Sequence, residues 1–386
     1  MKYHINRSKN LCKYLDKQGW TKAHDNEISD FSMWDTYNSK PVKSKISVWD
    51  KKETNTIDCL LTFHTNLEKL KLTKLAPYTI IDWRNPDKKL IKKDFSFKDI
   101  WIMKHVSGVH GKGINILSSY NDYLEWLKDN KNIQHNFVLQ KCIYNSHLLK
   151  GRKYILRVYI LTINDKCYLY HDCLYYTALF PLDKDYQDIY IDNNNKIISK
   201  DKGGKLIPKK QVRINTHISH WKESTELKPY GIKDKRIKGI LSDLSEYKTI
   251  IKNIYKNVSK LSKLFKNVYK KSNNKKNNNQ LNYHIWGCDY IVLPNLDVKC
   301  IEVNAYPCLT HGDRGPNQEN REFEYKFRKS GFDRDLMRRL GYDLENKGNS
   351  FNSWLDINKI IQKKNHTKKK KNNRTSKQKN NRTKKK

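Results

Sequence analysis

The chain is expected to fold as an α+β protein, and three observations carry that expectation. Short apolar runs of strand length dominate residues 99–304. They mix with two helical patterns in an irregular order, not in a repeating strand–helix–strand array. Only 37% of the 386 residues are hydrophobic even with Tyr and Cys counted, so a core has to come from concentrated stretches.

In order along the chain, residues 1–95 are mixed and weakly periodic, with Trp20, Trp34, Trp49 and Trp83 as punctuation, and read as an N-terminal flanking region. Asp58 to Phe63 is strand-like there. Ile100 to Met103 reads as a buried strand ending at Lys104. Ser107-Gly108-Val109-His110-Gly111-Lys112-Gly113 follows and joins it, as a hairpin-like lid, to a second strand, Ile114 to Leu117. A helix fits Tyr120 to Lys128 with Leu124 and Leu127 on one face. Phe137 to Ile143 is an apolar strand, and Tyr154 to Ile163 pairs with Tyr168 to Tyr176 around Asn164-Asp165. Pro181 to Lys210 is polar and reads as an excursion loop. Leu244, Tyr247, Ile251, Ile254, Val258, Leu261, Phe265 and Val268 are helically spaced, predicting a long amphipathic helix over Ser242–Lys270 capped by Ser242 or Asp243. A Lys/Asn-rich linker, 271–279, leads to two last strands, Tyr283 to Leu293 and Val298 to Asn304, joined through Pro294-Asn295.

Charge narrows the function classes. Lys and Arg total 78 against 40 acids, a formal charge of +38. Residues 363–386 hold 13 of these cations and no acid, leaving +25 on the rest. The tail has the composition of a disordered segment. A body this basic favours acidic partners: nucleic acid, anionic membrane or an acidic polypeptide. The sequence has no run of ~18 apolar residues, so no segment is expected to span a membrane, and the first ten residues lack a signal-peptide core. The eight cysteines show neither paired nor zinc-like spacing, which suggests a reducing compartment, cytosolic or nuclear.

Three segments could carry chemistry. If the last two strands pair around a loop centred between Asn295 and Leu296, Asp289 lies opposite Glu302, and Glu302 and Asn304 share a face. Two carboxylates and an amide oxygen suit Mg²⁺; a solvated hairpin face would carry the same residue types. The N–H groups of the glycine segment could wrap phosphates, with Lys104 as a point charge beside them. Lys153, Ile155 and Arg157 share one strand face, directed into a cleft or into water.

Taken together, these segments resemble the tubulin–tyrosine ligase-like enzymes. Trp101-Ile-Met-Lys104 with Gly108-Val-His-Gly-Lys-Gly113 is similar to that family's phosphate-binding lid, and Val138-Leu-Gln140-Lys141-Cys-Ile143 to its adenine-binding hinge. Leu149-Lys-Gly-Arg-Lys-Tyr-Ile-Leu-Arg157 resembles its Gly-Arg-Lys-Phe-Asp-x-Arg strand, and His217-Ile-Ser-His220 stands where the family has His-Leu-Thr-Asn. Gly287-Cys-Asp289 and Glu302-Val-Asn304-Ala-Tyr-Pro307 match its Gly-x-Asp and Glu-Val-Asn-x-x-Pro signature.

The resemblance implies an ATP-grasp fold in which two α+β subdomains, 96–143 and 144–345, sandwich ATP, with a basic tail over 346–386. It implies carboxylate–amine ligation through an acyl phosphate. The substrates would be ATP, a free amino acid (glutamate, tyrosine or glycine) and an acidic protein acceptor of the tubulin type. The setting would be cytoplasmic, at microtubules, with no membrane or nucleic-acid role. Asp289, Glu302 and Asn304 would hold Mg²⁺; Arg157 and Glu302 would be catalytic. Lys104, His110, Gly111, Gln140, Lys141, Cys142, Ile143, Lys153, Ile155, Ser219 and His220 would line the nucleotide. Four positions depart from the family pattern: Ile155 replaces Asp, Tyr176 replaces Arg, His110 replaces Arg and His220 replaces Asn. A catalytically weakened ATP-grasp protein that binds an acidic polymer is therefore a second reading. A nucleic-acid binder is a third, without a recognition motif to support it.

Overall fold

The computed structural model describes residues 1–5, 9–24, 27–33, 44–48, 51–83, 100–106, 114–132, 136–184, 188–191, 197–198, 205–207, 237–273, 281–305, 331–342 and 353–357, with positions 202, 212, 216, 217, 307 and 327. The N-terminal part holds β1 (Lys2–Ile5), α1 (Lys9–Lys17), β2 (Thr21–Lys22), β3 (Ser29–Met33), β4 (Ser44–Val48), α2 (Lys51–Asp58), α3 (Leu60–Lys69) and β5 (Thr79–Ile80). Then come β6 (Trp101–His105), β7 (Ile114–Leu117), α4 (Tyr120–Asp129), β8 (Phe137–Lys141), β9 (Leu148–Leu149), β10 (Arg152–Ile163) and β11 (Lys166–Thr177). The short strands β12 (Ile189–Ile191), β13 (Ile197–Ile198), β14 (Lys205–Ile207) and β15 (Lys238–Ile240) precede α5 (Tyr247–Asn273). Last are β16 (Leu281–Val292), β17 (Val298–Asn304), α6 (Phe332–Arg339) and β18 (Trp354–Asp356).

The architecture is α+β, as expected. An eleven-stranded sheet runs β15-β11-β10-β16-β4-β3-β1-β2, with β17 on β16, β18 on β11 and β9 on β10. A four-stranded sheet, β5-β8-β6-β7, stands beside it. The three long strands β10, β11 and β16 are apolar on both faces because both faces are covered. On one side Leu156, Val158, Ile160, Trp286 and Tyr290 pack against Ile254, Val258, Leu261 and Phe265 of α5. On the other, Tyr159, Leu161, Ile163 and Ile285 meet Leu11 and Leu15 of α1 and Phe332 and Leu336 of α6. The N-terminal segment is woven into this sheet, since β4 pairs in parallel with β16.

Several expectations need correction. Asp58 to Phe63 is not a strand; it spans the end of α2 and the start of α3. Ile57, Leu60, Phe63, His64 and Leu67 are buried at helical spacing, a period that a six-residue window is too short to display. In α4 the buried residues are Tyr123 and Trp126, while Leu124 is exposed. Ser119 caps that helix, its side chain accepting from the Asp122 N–H. The long helix begins at Tyr247, not Ser242, because Leu241–Asp243 forms a 3₁₀ turn and the Ser242 N–H donates to Asp172 at 3.1 Å. It also continues to Asn273, into the expected linker. Within the expected excursion loop, β12, β13 and β14 form a small antiparallel sheet. Inside the expected tail, Trp354–Asp356 pairs with β11 and Trp354 is fully buried.

The register that matters most lies between β16 and β17. Near their loop Val292 faces Val298 and Tyr290 faces Cys300, so the turn centres on Asn295, half a residue earlier than expected. A bulge then shifts the pairing, and Asp289 faces Glu302. Without that extra residue Ile301 would oppose Asp289, and every following side chain would change face. The bulge therefore brings the two carboxylates together.

Candidate active site

The acidic end of the site is built on neighbouring strands. Arg157 of β10 lies across from Asp289 of β16 in the strand register. Its Nε donates to Asp289 Oδ1 at 2.5 Å and its Nη2 to Oδ2 at 3.0 Å, a two-pronged pair. This arrangement needs a glycine at 287. A Cβ there would sit 2.6 Å from Pro307 Cβ and 3.2 and 3.3 Å from Cδ and Nη1 of Arg157. The Gly-x-Asp and Asn-x-x-Pro elements are thus one packing unit, with the guanidinium stem passing over the bare glycine. Asn304 Nδ2 donates to the Gly287 carbonyl at 3.2 Å and to Glu302 Oε1 at 3.3 Å. Asp289, Glu302 and Asn304 therefore converge as the sequence suggests.

Asp58 was not anticipated. It ends α2, and its Oδ1 accepts from the Ala305 N–H at 2.8 Å, immediately after Asn304. The Glu302 charge acts on it. No spacing signal connects residue 58 with residue 302, so only tertiary packing of α2 against β17 reveals it.

The second sheet contributes Lys104 and Gln140 on adjacent strands, with Ile102 directly opposite Gln140. Lys104 Nζ donates to Gln140 Oε1 at 2.7 Å, and Gln140 Nε2 donates to Thr79 Oγ1 at 3.1 Å. His64 Nε2 stands 3.4 Å from that hydroxyl and 3.5 Å from the Gln140 amide nitrogen. Lys104 is buried, with Glu302 and Asp289 close enough to act on its charge. Gln140 thus holds the lysine head through its side chain.

Lys153 is buried too, so the Lys153/Arg157 face points into the protein and not into water. Lys153 Nζ donates to the Ile143 carbonyl at 2.6 Å, lies 3.0 Å from His217 Nδ1 and 3.6 Å from Cys142 Sγ, and sits over the Tyr144 ring. The Lys141 and Cys142 N–H groups bond to the carbonyls of Tyr78 and Ile100 at 2.8 and 2.7 Å. Ile155 and Tyr176 face each other across β10 and β11 and join an apolar cluster with Tyr159, Leu174 and Ile240. His110, Gly111, Ser219 and His220 lie outside the described residues.

Electrostatics tie the two halves together. Burial works against the Arg157 charge, but the Asp289 carboxylate more than restores it and holds the guanidinium above its ordinary value. Burial pushes Asp289 up to about 7, with Arg157 opposing and Glu302 adding to the rise. Burial would also raise Glu302, yet the Lys104 ammonium and hydrogen bonds from Asp289 and Asn304 hold it below its usual range. Asp58 rises to about 6 through burial, against the Ala305 hydrogen bond, with repulsion from Glu302 adding to the rise. Lys104 is lowered by burial, with Glu302 opposing. Asp289 is thus the more readily protonated of the two carboxyls, beside a charged Glu302. A divalent cation would displace that proton and relieve the repulsion, so the donor set of two carboxylates and an amide fits Mg²⁺. Among the described residues no group of three or more His, Cys, Asp or Glu side chains is placed to hold a metal ion.

The motif order and this geometry agree with a comparison against known proteins. A model of the tubulin-tyrosine ligase family matches residues 33–319, a span that contains every residue just placed. The chain belongs to the tubulin-tyrosine ligase family. Its mixed α+β architecture accords with the ATP-grasp-like fold of that family. Similar proteins include tubulin glycylase 3B of Drosophila melanogaster, 24% identical over 229 residues, which are 55% of this chain and 26% of the relative. Probable tubulin polyglutamylase ttll-9 of Caenorhabditis elegans is 36% identical over 64 residues, 16% of this chain and 15% of the relative. The match to this tubulin-tyrosine ligase family member thus covers about a quarter of the first relative's length and less of the second's. Among the described residues no helix is long and apolar enough to cross a membrane.

Proposed function

We propose that this family member is an ATP- and Mg²⁺-dependent ligase that joins an amino acid to an acidic protein acceptor of the tubulin type. In the reaction, a carboxylate oxygen of the acceptor takes the γ-phosphoryl group, giving an acyl phosphate and ADP. The amine of glutamate, glycine or tyrosine then attacks the carbonyl carbon, phosphate leaves, and the nitrogen loses a proton as the amide forms.

The observation that carries the proposal is the converging set of Arg157, Asp289, Glu302 and Asn304 facing a buried Lys104. Asp289, Glu302 and the Asn304 oxygen would hold Mg²⁺, which when bound supplies positive charge to the transferring phosphoryl group. Lys104, steadied by Gln140, would meet the phosphates as a fixed charge from the four-stranded sheet, and Lys153 would face the nucleotide from β10 of the large sheet. Segment 140–143 would border the base, with 96–143 and 144–345 forming the two sides of the cleft. Arg157 is fixed by Asp289 before any substrate arrives, so its remaining N–H groups are preorganised for the acyl phosphate. The basic body suits an acidic acceptor in a cytoplasmic, microtubule-associated setting.

Intact-mass measurement of acidic tubulin-tail peptides, incubated with the protein, Mg·ATP and each amino acid in turn, tests this. An ATP-dependent mass increment of one amino-acid residue is expected; no increment with any of the three would overturn the proposal. Ile155, half-buried, and Tyr176, buried, stand in an apolar cluster where the resembling enzymes carry Asp and Arg, and favour a second reading: a binding protein with weakened chemistry. That reading expects retention on acidic peptides without any increment.

A further inference from the structure

Among seven described cysteines, Cys167, Cys173, Cys288 and Cys300 are buried, whereas Cys12, Cys59 and Cys142 are half-buried. Of these three, Cys142 has a distinctive setting. Its Sγ lies 3.6 Å from the Lys153 ammonium and 3.9 Å from His217 Nδ1, and those two groups are 3.0 Å apart. The lysine is fixed in place: its Nζ also donates to the Ile143 carbonyl at 2.6 Å and sits 5.6 Å from the Tyr144 ring centre. A thiol held against a buried cation with an imidazole beside it is the arrangement that generates a thiolate. Among the described residues, the carbonyl, ring and imidazole around Lys153 carry no full negative charge, so a thiolate at Cys142 would offset this buried ammonium.

We propose that Cys142 is a reactive thiolate within a Cys142–Lys153–His217 cluster, and that it is a site of modification by low-molecular-weight disulfides and other electrophiles. In the disulfide reaction the Cys142 thiolate attacks one sulfur of the small disulfide. A new S–S bond forms to Cys142, the old one breaks, and the other half leaves as a thiolate, so no further oxidant is needed. The direction of the thiol's titration agrees: burial raises it, but the Lys153 charge and His217 outweigh burial and bring Cys142 down to about 7. The consequence rests on the nucleotide-site reading above. An adduct on Cys142 would stand at the segment bordering the base and would separate Lys153 from the nucleotide, switching the site off until a thiol reductant removes it.

The test uses the full-length wild-type protein and iodoacetamide, with labelling at each cysteine followed by peptide mass spectrometry between pH 6 and 9.5. Cys12 and Cys59 serve as internal controls of similar exposure. A thiol titrating near 7 is about 16 times more ionised at pH 7 than an ordinary one at ~8.5. Its lower intrinsic nucleophilicity returns about fivefold of that, leaving Cys142 roughly threefold faster at pH 7 and about sixfold faster at pH 6. A labelling midpoint near 7 at Cys142, moving upward in Lys153→Met, supports the proposal. Labelling of Cys142 no faster than that of Cys59, with an ordinary midpoint, overturns it without any variant. Glutathione disulfide should then form a mixed disulfide at Cys142 that dithiothreitol reverses; its absence at Cys142 overturns the disulfide step. Mg·ATP should slow the labelling. Fast labelling that Mg·ATP leaves untouched upholds the thiolate and overturns the nucleotide-site reading instead, so the two failures are distinguishable.

Discussion

Replacing Gly287 by Ala tests the packing unit at the centre of the site. The added methyl would meet Pro307 at 2.6 Å and the Arg157 side chain at 3.2 and 3.3 Å. The proline contact is to a ring fixed on its backbone, so the chain after β17 must shift. Overpacking of this kind costs ~1–3 kcal/mol. If the shift also lifts Arg157 from Asp289, a buried carboxylate loses its partner, which adds ~3–5 kcal/mol. The thermal midpoint should fall by an amount on the order of 5–10 °C. A double-mutant cycle assigns the cause. In an Arg157→Met background the part of the cost that runs through the guanidinium is already spent, so the Gly287→Ala penalty should shrink by at least ~1 kcal/mol. Thermal melts of the four proteins, read with ATP-dependent mass increments, measure this coupling. Strictly additive losses, or a Gly287→Ala protein as stable and active as wild type, would show that the bare glycine does not serve Arg157.

Three further outcomes are expected. Glu302→Gln keeps shape but removes the charge that faces Lys104 and would hold Mg²⁺, so ATP-dependent product formation should fall by ~10²–10³-fold while circular dichroism stays native; an unaltered rate would sink the metal assignment. Tyr176→Arg restores the family residue but buries a cation in an apolar cluster near Arg157, so the thermal midpoint should drop, whereas an unchanged midpoint would mean that the cluster opens to water there. His64 and His284 are both pushed down to about 4 by burial from an ordinary 6.5. Below pH 6.5 the unfolded chain binds protons that the folded one refuses, so stability is full at pH 7 and falls towards pH 4, by ~2 kcal/mol per histidine at pH 5. Melts from pH 7.5 to 5 should show the fall, and His64→Gln should flatten it; an equal slope in both proteins contradicts the assignment.

How much of this was legible beforehand follows from the range of each signal. Asp289, Glu302 and Asn304 sit on two strands joined by a short loop, and their convergence is nearly a local property, readable from a period of two. Even there the bulge was invisible, because Ile301 looks like any strand residue. The Lys153/Arg157 face is readable as a face but not as buried, since burial depends on what segment 142–144, His217 and Asp289 place against it. Helical spacing placed α5, while its start depended on Asp172, 70 residues away, taking the Ser242 N–H. Asp58, His64 and Thr79 cannot be found from spacing, because they enter the site by tertiary packing from the weakly periodic N-terminal segment.

The closing strand has a consequence for how this chain reaches its fold. Tyr168, Leu169 and Tyr170 pair with Asp356, Leu355 and Trp354, so the edge of β11 is completed by residues made 186 positions later. At ~5–20 residues per second the ribosome needs about 10–40 s to deliver them. During that interval β10 and β11 can form their hairpin, but β11 offers unpaired backbone and uncovered Tyr170, while β16 awaits synthesis on the other side. Such a nascent chain presents the template on which strands of other molecules add. Holdase protection, or slower recovery of soluble protein when synthesis stalls before residue 354, is the cellular signature this topology leads one to expect.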